Sequence, residues 1–396
     1  MKILVLNCGS SSLKYQLIDM TTEEALAKGL VERINLDGAR LEHRVGDQKI
    51  VKEADIPNHT VAVNLVIEAL KDPGHGVISD ISEVAAVGHR VVHGGEMFSG
   101  SVIITDAVKA ALRECSSLAP LHNPPNLIGI EAAEALLSSV PQIGVFDTAF
   151  HQTMPPKAYL YGIPYSYYEK YKIRRYGFHG TSHKYVSARA SEMLGKPIES
   201  LKIITCHLGN GASIAAVEGG RVVDTSMGMT PLEGLVMGTR CGDIDPAVVT
   251  FLMEKDGLSP KQMDDIMNKQ SGVAGVSGVS SDFRDIEAAI AAGNEQAKTA
   301  MNLYVYRIAK YIGEYAAAMN GVDAIVFTAG VGENAPTTRA DICAYLGYLG
   351  IKVDPDKNNV RGRESDFSAP GATCRSLVIP TNEELVIARD TYELVK

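Results

Sequence analysis

Two segments of the sequence repeat one order of features: an apolar strand, a polar turn that contains glycine, and a second strand that returns. The first segment covers residues 3–19, with its turn at Cys8-Gly9-Ser10-Ser11-Ser12. The second covers residues 201–217, with its turn at His207-Leu208-Gly209-Asn210-Gly211, and residues 221–225 continue it as a third strand. Two such hairpins in a chain of 396 residues predict an internal repeat and two domains of related fold, each beginning with a β-hairpin.

The boundary between the two domains is predicted where the apolar strand Gln142–Phe146 ends at Asp147. Residues 1–147 then form an N-terminal domain, and residues 148–382 form a C-terminal domain. Hairpins, single apolar strands and helical patterns alternate along both parts of the chain. Antiparallel hairpins beside strand–helix units are typical of an α/β protein with mixed sheets.

Several of the predicted elements have defined ends. Helical patterns cover residues 107–118, 126–138 and 295–319, and a further helix begins at Thr381-Asn382-Glu383-Glu384. Three prolines, Pro120, Pro124 and Pro125, lie between the first two of these helices. Proline commonly marks a break, so we interpret this stretch as a gap between helices. An apolar strand at residues 323–328 leads into a third glycine-containing turn.

The composition narrows the class of protein. Hydrophobic residues make up 45% of the chain and charged residues 21%, which is enough apolar surface for large cores. The formal net charge is −9 without a dense basic stripe, and this argues against a nucleic-acid partner, whose binding depends on neutralised phosphates. With no apolar run of membrane-spanning length, no targeting segment and six scattered cysteines, we predict a reduced cytosolic protein without a membrane partner, zinc site or disulfide scaffold.

Three glycine-containing turns follow apolar strands, at residues 7–12, 207–211 and 330–334. Glycine allows backbone N–H groups to approach a phosphate closely because no Cβ intervenes. Side-chain donors in or just after these turns are Ser10, Ser12, Asn210, Asn334 and the ammonium group of Lys14. Each turn alone is more simply an ordinary hairpin turn, but the three together predict a nucleotide site.

One stretch also fits a different class of nucleotide site. Gly330-Val331-Gly332-Glu333-Asn334-Ala335, with Asp354 about one strand later, matches a loose dinucleotide-binding pattern. The polar Glu333-Asn334 and Pro336 stand where the helix of that fold would pack on its strand, which disfavours a dinucleotide. Neither a Walker-type phosphate loop nor a Gly-x-Ser-x-Gly hydrolase motif occurs in the sequence.

Two arginines have flanking residues that favour a position in a cleft. Arg90 lies in the apolar strand that continues through Val91-Val92, and Arg240 lies between Gly238 and Gly242. Arginine at such a position suits two-pronged binding of a carboxylate or phosphate, although a paired surface cation is the commoner outcome. Asp147 at a strand end and Glu383 at a helix start are candidate Mg²⁺ ligands, because Mg²⁺ takes one or two carboxylates and keeps its other waters.

Five blocks of the sequence resemble the signature blocks of acetate kinases, and they occur in the same order as in that family. The blocks are residues 6–14 (LNCGSSSLK), 146–151 (FDTAFH), 176–183 (YGFHGTSH), 207–211 (HLGNG) and 330–334 (GVGEN). The resemblance spans essentially the whole chain. It implies the fold shared by sugar kinases, actin and heat-shock ATPases, with two duplicated ribonuclease H-like domains and ATP in the cleft between them.

The resemblance also implies the substrates and the assembly. ATP or ADP and Mg²⁺, which Mn²⁺ can replace, would act with acetate or acetyl phosphate. The C-terminal helix, residues 383–396, would pack back on the N-terminal domain, which carries the acyl and phosphate contacts. The C-terminal domain would carry the adenosine site and the contacts of a homodimer.

The functional residues of the family correspond to positions of this chain one by one. Asn7 and Glu383 would bind the metal ion, Arg90 the carboxylate substrate, and Ser10, Ser12 and Lys14 the ATP. The phosphates would contact His207, Leu208, Gly209, Asn210 and Gly211. The adenosine would contact Asp282, Phe283, Arg284, Gly330, Val331, Gly332, Glu333 and Asn334. The methyl pocket would comprise Val92, Leu121, Phe178 and Pro231. Asp147 would be the active-site acid, and His179 and Arg240 would stabilise the transition state.

Simple acid–base chemistry limits the role of Asp147. A short carboxylic acid with a pKa of about 4 to 5 is already ionised at neutral pH, so it needs no general base. We therefore expect Asp147 to orient Mg²⁺ or the substrate, and we expect direct in-line transfer in which the protein neutralises and aligns two anions. The alternatives are a propionate or butyrate kinase on the same scaffold, a nucleotide-switched binding protein of the actin or heat-shock type, and a dinucleotide-binding oxidoreductase.

Overall fold

The computed structural model describes residues 1–116, 118–119 and 122–396. The chain divides into two compact units. The first unit comprises Met1–Phe150 together with Asn382–Lys396, and the second comprises His151–Thr381. Each unit is built on one mixed β-sheet. The first unit is therefore discontinuous in sequence, since a segment beyond the second unit completes it.

The sheet of the first unit contains both parallel and antiparallel neighbours. Within the described residues its eight strands are β1 (Lys2–Cys8), β2 (Ser12–Asp19), β3 (Glu24–Glu32), β4 (Arg40–Val45), β5 (Gln48–Glu53), β6 (Val84–Val91), β7 (Val102–Ile103) and β8 (Gln142–Phe146). Their order is β5-β4-β3-β2-β1-β6-β8-β7. Strands β1, β6 and β8 run parallel, and β1 to β5 form an antiparallel meander.

Helices cover both faces of this sheet. They are α1 (His59–Lys71), α2 (Asp106–Cys115), α3 (Asn123–Leu136) and the C-terminal helix (Glu383–Val395). Alternate residues of β1 pack on opposite faces: Leu4 and Leu6 join the core with α1 and α3, and Ile3 and Val5 join the core with the C-terminal helix. Because both faces are covered, β1 is a continuous apolar run. The C-terminal helix approaches β6 so closely that a Cβ on Gly88 would lie 2.4 Å from Thr391 Oγ1.

The gap predicted around the prolines is wrong in part. Pro124 and Pro125 belong to the first turn of α3, which begins at Asn123. Proline lacks a backbone N–H group. It is tolerated in the first turn of a helix because the N–H groups there have no partner within the helix, so the missing donor costs little. The preceding helix, α2, ends at Cys115, before the end predicted at residue 118.

The second unit repeats the arrangement of the first at the centre of its sheet. Its described strands are β9 (Lys202–Leu208), β10 (Ala212–Glu218), β11 (Arg221–Thr225), β12 (Ala324–Thr328), β13 (Ser365–Asp366) and β14 (Arg375–Val378). Their order is β11-β10-β9-β12-β14-β13, with β9 to β11 antiparallel and β9, β12 and β14 parallel. In the first unit, the strands β3-β2-β1-β6-β8 have the same parallel and antiparallel relations as β11-β10-β9-β12-β14 in the second. The predicted α/β class with two mixed sheets is confirmed.

The helices of the second unit include one long helix, α11, that buries one face. They are α4 (Pro156–Tyr159), α5 (Tyr165–Tyr171), α6 (Gly180–Leu194), α7 (Pro246–Asp256), α8 (Pro260–Lys269), α9 (Gly272–Ser277), α10 (Phe283–Ala291), α11 (Glu295–Ala318), α12 (Ala329–Asn334), α13 (Pro336–Ala344) and α14 (Pro355–Asn358). Short 3-10 turns lie at Ile81–Glu83, Ala149–Thr153, Ile198–Ser200 and Gly347–Leu349. Among the described residues, none of the helices combines the length and hydropathy of a membrane span.

The stretch predicted as a third glycine turn is a short helix instead. Helix α12 starts directly after β12, at Ala329, whose φ is 64°. The carboxylate of Glu333 accepts a hydrogen bond from the Ala329 N–H at 2.7 Å and another from the Thr381 N–H at 3.1 Å. The side chain of Glu333 thus satisfies an N–H group at the start of the helix, and this compensates for the weak helix propensity of Gly330 and Gly332.

Candidate active site

Polar side chains lie where the parallel strands of the first sheet end. Asn7 lies near the end of β1, Arg90 lies near the end of β6, and Asp147 directly follows β8. The register pairs Leu6 with His89, and it pairs Arg90 with Val145. The carboxyl ends of parallel strands are the usual ligand-binding edge of an α/β sheet. The structure therefore brings the predicted site residues of this unit to one edge.

Arg90 and Asp147 form an ion pair with two hydrogen bonds. Nε of Arg90 donates to Oδ1 of Asp147 at 3.1 Å, and Nη2 donates to Oδ2 at 2.6 Å. The Asp147 side chain is 1% exposed, whereas that of Arg90 is 22% exposed. Glu383, at the start of the C-terminal helix, has Oε2 3.9 Å from Arg90 Nε. Arginine has five N–H groups, so this pairing leaves others for a second anion.

Burial and pairing act in opposite directions on this pair. Burial raises the pKa of the Asp147 carboxyl above its ordinary value, and the Arg90 guanidinium opposes that rise. Burial alone would lower the pKa of Arg90, but the Asp147 and Glu383 carboxylates outweigh it and hold that pKa above its ordinary value. Arg90 is therefore a permanent cation, and it stabilises the ionised form of Asp147.

The hairpin between β1 and β2 carries the first group of predicted phosphate donors. Ser10 is exposed in the turn, and Ser12 is partly buried at the start of β2. Lys14 stands opposite Asn7 in the hairpin register. Its Nζ lies 2.5 Å from Oε1 of Glu384, the second residue of the C-terminal helix. The C-terminal helix therefore positions Lys14 as well as Arg90.

The segment after β6, residues 92–94, is held by side chains. Three consecutive backbone N–H groups donate to side-chain oxygens, from Val92 to Asn126 Oδ1 (3.0 Å), from His93 to Asn123 Oδ1 (3.1 Å) and from Gly94 to Thr148 Oγ1 (3.0 Å). The side chain of Val92 is buried. This segment has left the sheet but has a defined conformation, because buried N–H groups need partners.

In the second unit, three histidines and two serines form a cluster that is buried except for the partly buried His179. The ring of His179 stacks on that of His207 with 4.0 Å between centroids. Nδ1 of His179 lies 2.8 Å from Ser213 Oγ, which also lies 2.8 Å from Nε2 of His183. Nδ1 of His207 lies 2.8 Å from Ser182 Oγ. Burial and the neighbouring histidines hold the pKa of His183 well below its ordinary value, so His183 is neutral.

Arg240 approaches the turn between β9 and β10. Its Nη1 donates to the carbonyl of Pro231 at 3.1 Å. A Cβ on Gly211 would lie 3.3 Å from that Nη1 and 3.8 Å from Nε2 of His179, so glycine gives both side chains room beside the turn. Burial lowers the pKa of Arg240 from its ordinary value, yet a guanidinium remains charged at neutral pH. His179, Arg240 and the turn thus meet at one place.

A cavity of about 560 Å³ lies in the second unit. Of the predicted nucleotide residues, those that line it are Gly209, Asn210, Asp282, Phe283, Arg284, Gly330, Val331 and Asn334. The predicted nucleotide residues of the second unit that do not line it are His207, Leu208, Gly211, Gly332 and Glu333. The Asp282 carboxylate accepts the Arg284 N–H at 2.9 Å at the start of α10, and the Phe283 ring lies 4.8 Å from that of Tyr304. Nucleotide residues predicted from three separate segments therefore line one cavity, although Gly332 and Glu333 of the predicted adenosine set do not.

A buried arginine supports one wall of this cavity. Arg339 is fully buried, and its guanidinium donates to the carbonyl of Gly332 at 2.9 Å, to Asn358 Oδ1 at 2.9 Å and to the carbonyl of Val360 at 3.0 Å. Arg361, which follows Val360 in the sequence, lines the cavity and donates to the carbonyl of Asn334. The wall is thus tied together by hydrogen bonds from arginines to carbonyl groups.

The family of the chain follows from comparison with known proteins. The model of the acetokinase family matches residues 2–389. The chain belongs to the acetokinase family. This confirms the resemblance that the five sequence blocks carry.

Members of the acetokinase family match the chain over its full length. The acetate kinase of Alkaliphilus metalliredigens is 64% identical over 396 residues, which cover all of both chains. The crystal structure of Porphyromonas gingivalis acetate kinase has a TM-score of 0.97 and 54% identity and covers both chains completely. A propionate kinase from Francisella tularensis has a TM-score of 0.93 and 41% identity over 99% of each chain.

The predicted methyl-pocket residues of this acetokinase lie in different parts of the chain. Val92 is buried in the first unit, and in the second unit Phe178 is buried and Pro231 is partly buried. Leu121 lies outside the described residues. Val92 lies two positions after Arg90, and Phe178 directly precedes His179.

Sequence reasoning missed several residues that line or support these sites. They are Asn123, Asn126 and Thr148 around the 92–94 segment, Ser213 and His183 beside His179, and Glu287, Arg339 and Arg361 around the cavity. The spacing Asn-Pro-Pro-Asn offers a signal for the first group, because residues three apart share one face of a helix. No comparable local signal marks Arg361.

Proposed function

We propose that the chain catalyses the reversible transfer of the γ-phosphate of ATP to acetate, which gives acetyl phosphate and ADP. The observation that carries the proposal is membership of the acetokinase family along residues 2–389, with relatives named acetate kinase at up to 64% identity. The Arg90–Asp147 pair and the cavity of the second unit support it. Family membership leaves no support for an actin-like binding protein or a dinucleotide-binding oxidoreductase.

A propionate kinase on the same scaffold is the second candidate. The Francisella protein of that name is 41% identical, whereas the acetate kinases from Alkaliphilus and Porphyromonas are 64% and 54% identical. Acetate is therefore the favoured substrate. One methylene in an apolar pocket changes binding by only about 1–3 kcal/mol, so we expect some activity with propionate.

Arg90 is the proposed binding group for the carboxylate substrate. Its Nε and Nη2 are held by Asp147, which fixes the plane of the guanidinium. A fixed fork with further N–H groups can bind a second carboxylate without loss of alignment. Asp147 is 1% exposed and already neutralised by Arg90, and an ionised acetate has no proton to give. We therefore assign Asp147 to orientation of Arg90 and of the metal ion.

His179 and Arg240 are proposed to neutralise the transferred phosphoryl group. Both lie beside the Gly209–Gly211 turn, since a Cβ on Gly211 would lie 3.3 Å from Arg240 Nη1 and 3.8 Å from His179 Nε2. In a loose phosphoryl transition state, charge spreads over the equatorial oxygens, and fixed cations and donors stabilise it. Ser10, Ser12 and Lys14 of the first unit are assigned to the phosphates of ATP.

The residues at the edge of the first sheet fit a Mg²⁺ ion. Asn7, Asp147 and Glu383 offer only oxygen ligands, and Mg²⁺ takes one or two carboxylates and keeps several waters. Among the described residues, no group of three or more His, Cys, Asp or Glu side chains could hold a metal ion, so waters and substrate oxygens would complete the coordination of a bound Mg²⁺. When bound, the ion would offset negative charge on the phosphates. Mn²⁺ accepts the same ligands and is expected to substitute.

The cavity of the second unit is the proposed adenosine site. Its volume of about 560 Å³ lies within the range of small-molecule pockets. Asp282, Phe283 and Arg284 form one side, and Gly330, Val331 and Asn334 form another. Arg361 and Glu287 are added to this assignment because they line the same space.

The reaction itself is tested by trapping its product. The purified protein is incubated with ATP, Mg²⁺, hydroxylamine and a series of short carboxylates from formate to butyrate. An acyl phosphate reacts with hydroxylamine to give a hydroxamate that can be measured directly, so the assay ranks the substrates. We expect the highest kcat/KM with acetate. Absence of hydroxamate with every carboxylate would reject the proposal.

Direct transfer predicts inversion of configuration at phosphorus. Acetate attacks the γ-phosphorus in line with the departing ADP oxygen, so one displacement inverts the centre. The measurement uses ATP that is chiral at the γ-phosphorus through oxygen isotopes, and it determines the configuration of acetyl phosphate. Retention would show two displacements and a phosphoenzyme.

Replacement of Val92 by alanine is expected to favour propionate. Val92 is buried just after Arg90, and loss of two methyl groups enlarges the proposed methyl pocket. The ratio of kcat/KM for propionate to that for acetate should rise by about tenfold or more, in line with the 1–3 kcal/mol that one methylene contributes. An unchanged ratio would remove Val92 from the pocket.

The proposal includes a homodimer in the cytoplasm. Helix α7 has no buried residue among those described. Its Val248 and Phe251 are exposed, and so is Ile244, the residue before its N-cap. An apolar helix face of this kind suits an interface with a second copy, and light scattering of the purified protein measures the resulting mass. All six cysteines are free thiols, which fits a reducing compartment.

A further inference from the structure

A single buried amide connects two strand ends of the first unit. Oδ1 of Asn126 accepts the Val92 N–H at 3.0 Å, and Nδ2 of Asn126 donates to the carbonyl of Cys8 at 2.8 Å. The side chain is 4% exposed. Its orientation follows from its partners, because a reversed amide would place two donors together and two acceptors together. Asn126 therefore contacts the end of β1 and the segment after β6 at the same time.

Helix α3 brings this amide to the strand ends by close contact on one face. A Cβ on Gly129, one turn after Asn126, would lie 2.3 Å from Cys8 Sγ, so only glycine allows this approach. One turn before, Asn123 Oδ1 accepts the His93 N–H at 3.1 Å and its Nδ2 donates to the His93 carbonyl at 2.9 Å. Residues 123, 126 and 129 share a helix face because they are spaced by three.

Asn126 acts where the backbone ladder no longer connects the two strands. The parallel register of β1 and β6 ends with the pair Leu6 and His89. On the other side, β6 pairs with β8 as far as Val91 and Phe146. Beyond these pairs, the Asn126 amide replaces backbone hydrogen bonds as the connection between Cys8 and Val92.

The residues on the two sides of this amide have different proposed tasks. Cys8 follows Asn7, which is assigned to the metal ion and lies at the start of the phosphate turn. Val92 closes the methyl pocket, and Arg90, two positions before, binds the carboxylate. We propose that Asn126 is a positioning residue that sets the separation between these two sides and thereby the preference for a short carboxylate. This inference rests on the proposed function.

The experiment replaces Asn126 with leucine, which has a similar size and no hydrogen bond. The ratio of kcat/KM for acetate to that for propionate is expected to fall by about tenfold, because a displaced pocket wall would accommodate the additional methylene of propionate. The Mg²⁺ concentration for half-maximal rate is expected to rise in the same variant. Because both carboxylates are compared in one preparation, any unfolded fraction cancels from the ratio.

The matched control is Gln142→Leu, which removes another buried amide from the same unit. Gln142 Oε1 lies 2.7 Å from His89 Nε2, and its Nε2 donates to the carbonyl of Val140 at 3.0 Å, so it contacts neither strand end. We expect this variant to lose thermal stability with an unchanged acetate-to-propionate ratio. If Asn126→Leu also changes only stability, with its ratio within about twofold of the parent ratio, Asn126 has no positioning role and the inference fails.

Two further measurements keep the test decisive. The Val92 amide should exchange its hydrogen at least about tenfold faster in Asn126→Leu than in Gln142→Leu. This measurement needs no enzyme activity, so it tests the hydrogen bond from Val92 to Asn126 even if the proposed function is wrong. In a Val92→Ala background, Asn126→Leu should change the ratio no further, because both act on one pocket wall.

If the leucine variant does not fold, Asn126→Asp keeps the acceptor for Val92 and replaces the donor to Cys8. The Mg²⁺ concentration for half-maximal rate should still rise in this variant. An unchanged concentration would contradict the connection between Asn126 and the metal side of the site.

Discussion

Replacement of Arg240 by alanine is expected to lower kcat by about 10²- to 10³-fold, the cost of removing one preorganised donor from a transition state. Arg240 is mostly buried, donates to the Pro231 carbonyl and stands beside the turn at Gly211 with His179. Its charge is therefore fixed before substrate binds. Because the negative charge on the equatorial oxygens changes as the phosphoryl group transfers, the loss should fall on kcat more than on the KM for acetate.

Two variants give the Arg240 experiment its controls. Arg240→Lys keeps the charge but loses the planar fork, so it should recover only part of the rate. Arg189→Ala removes a half-exposed arginine that pairs with Glu364 in the same unit, and its kcat should equal that of the parent chain. A kcat for Arg240→Ala within about threefold of the parent value would show that Arg240 does not act on the transition state.

Replacement of Arg90 by alanine is expected to damage stability and substrate binding together. It leaves the Asp147 carboxylate, 1% exposed, without its bidentate partner. Removal of one member of a buried ion pair typically costs about 3–5 kcal/mol of unfolding free energy, because the other charge stays buried. The kcat/KM for acetate should fall by about 10²-fold or more, since the carboxylate loses its binding group.

The two effects of Arg90 can be separated by a double variant. Arg90→Ala with Asp147→Ala removes both charges, so urea unfolding should show a large part of the stability restored while activity with acetate stays lost. Arg113→Ala, which breaks an exposed pair with Glu131, should change the unfolding free energy by less than about 0.5 kcal/mol. Recovery of acetate turnover in the double variant would contradict the role of Arg90 in substrate binding.

Local sequence predicted the features whose causes are local. The two hairpins follow from short apolar runs and glycine turns, and both are present as β1–β2 and β9–β10. Arg90 could be placed at a strand end because its apolar flanks fix the strand. Helix α12 was missed because its glycines disfavour a helix. The Glu333 carboxylate that accepts the Ala329 N–H is fixed by a second hydrogen bond from the Thr381 N–H, 48 residues away, which no local pattern encodes.

The remaining parts of the site depend on contacts between distant positions. Asn126 and Val92 are 34 residues apart, and Asn126 and Cys8 are 118 apart. Arg361 reaches the cavity wall from 27 residues beyond its partner Asn334. No short pattern encodes such pairs, because each depends on where the fold places two elements. Pro124 and Pro125 are a different case, because proline is common in the first turn of a helix and the local sequence is compatible with a helix start there.

The discontinuity of the first unit has a consequence for synthesis of the chain. Residues 382–396 leave the ribosome only after the whole second unit, yet they carry Ile387 and Ala388, which cover Ile3 and Val5 on one face of the first sheet. Until then that apolar face lacks its cover, and Arg90 and Lys14 lack the Glu383 and Glu384 carboxylates. Domains generally fold in order of synthesis. Here the unit whose strands are made first is finished last, so the pairs of Arg90 and Lys14 with the C-terminal helix form only when translation has passed the second unit.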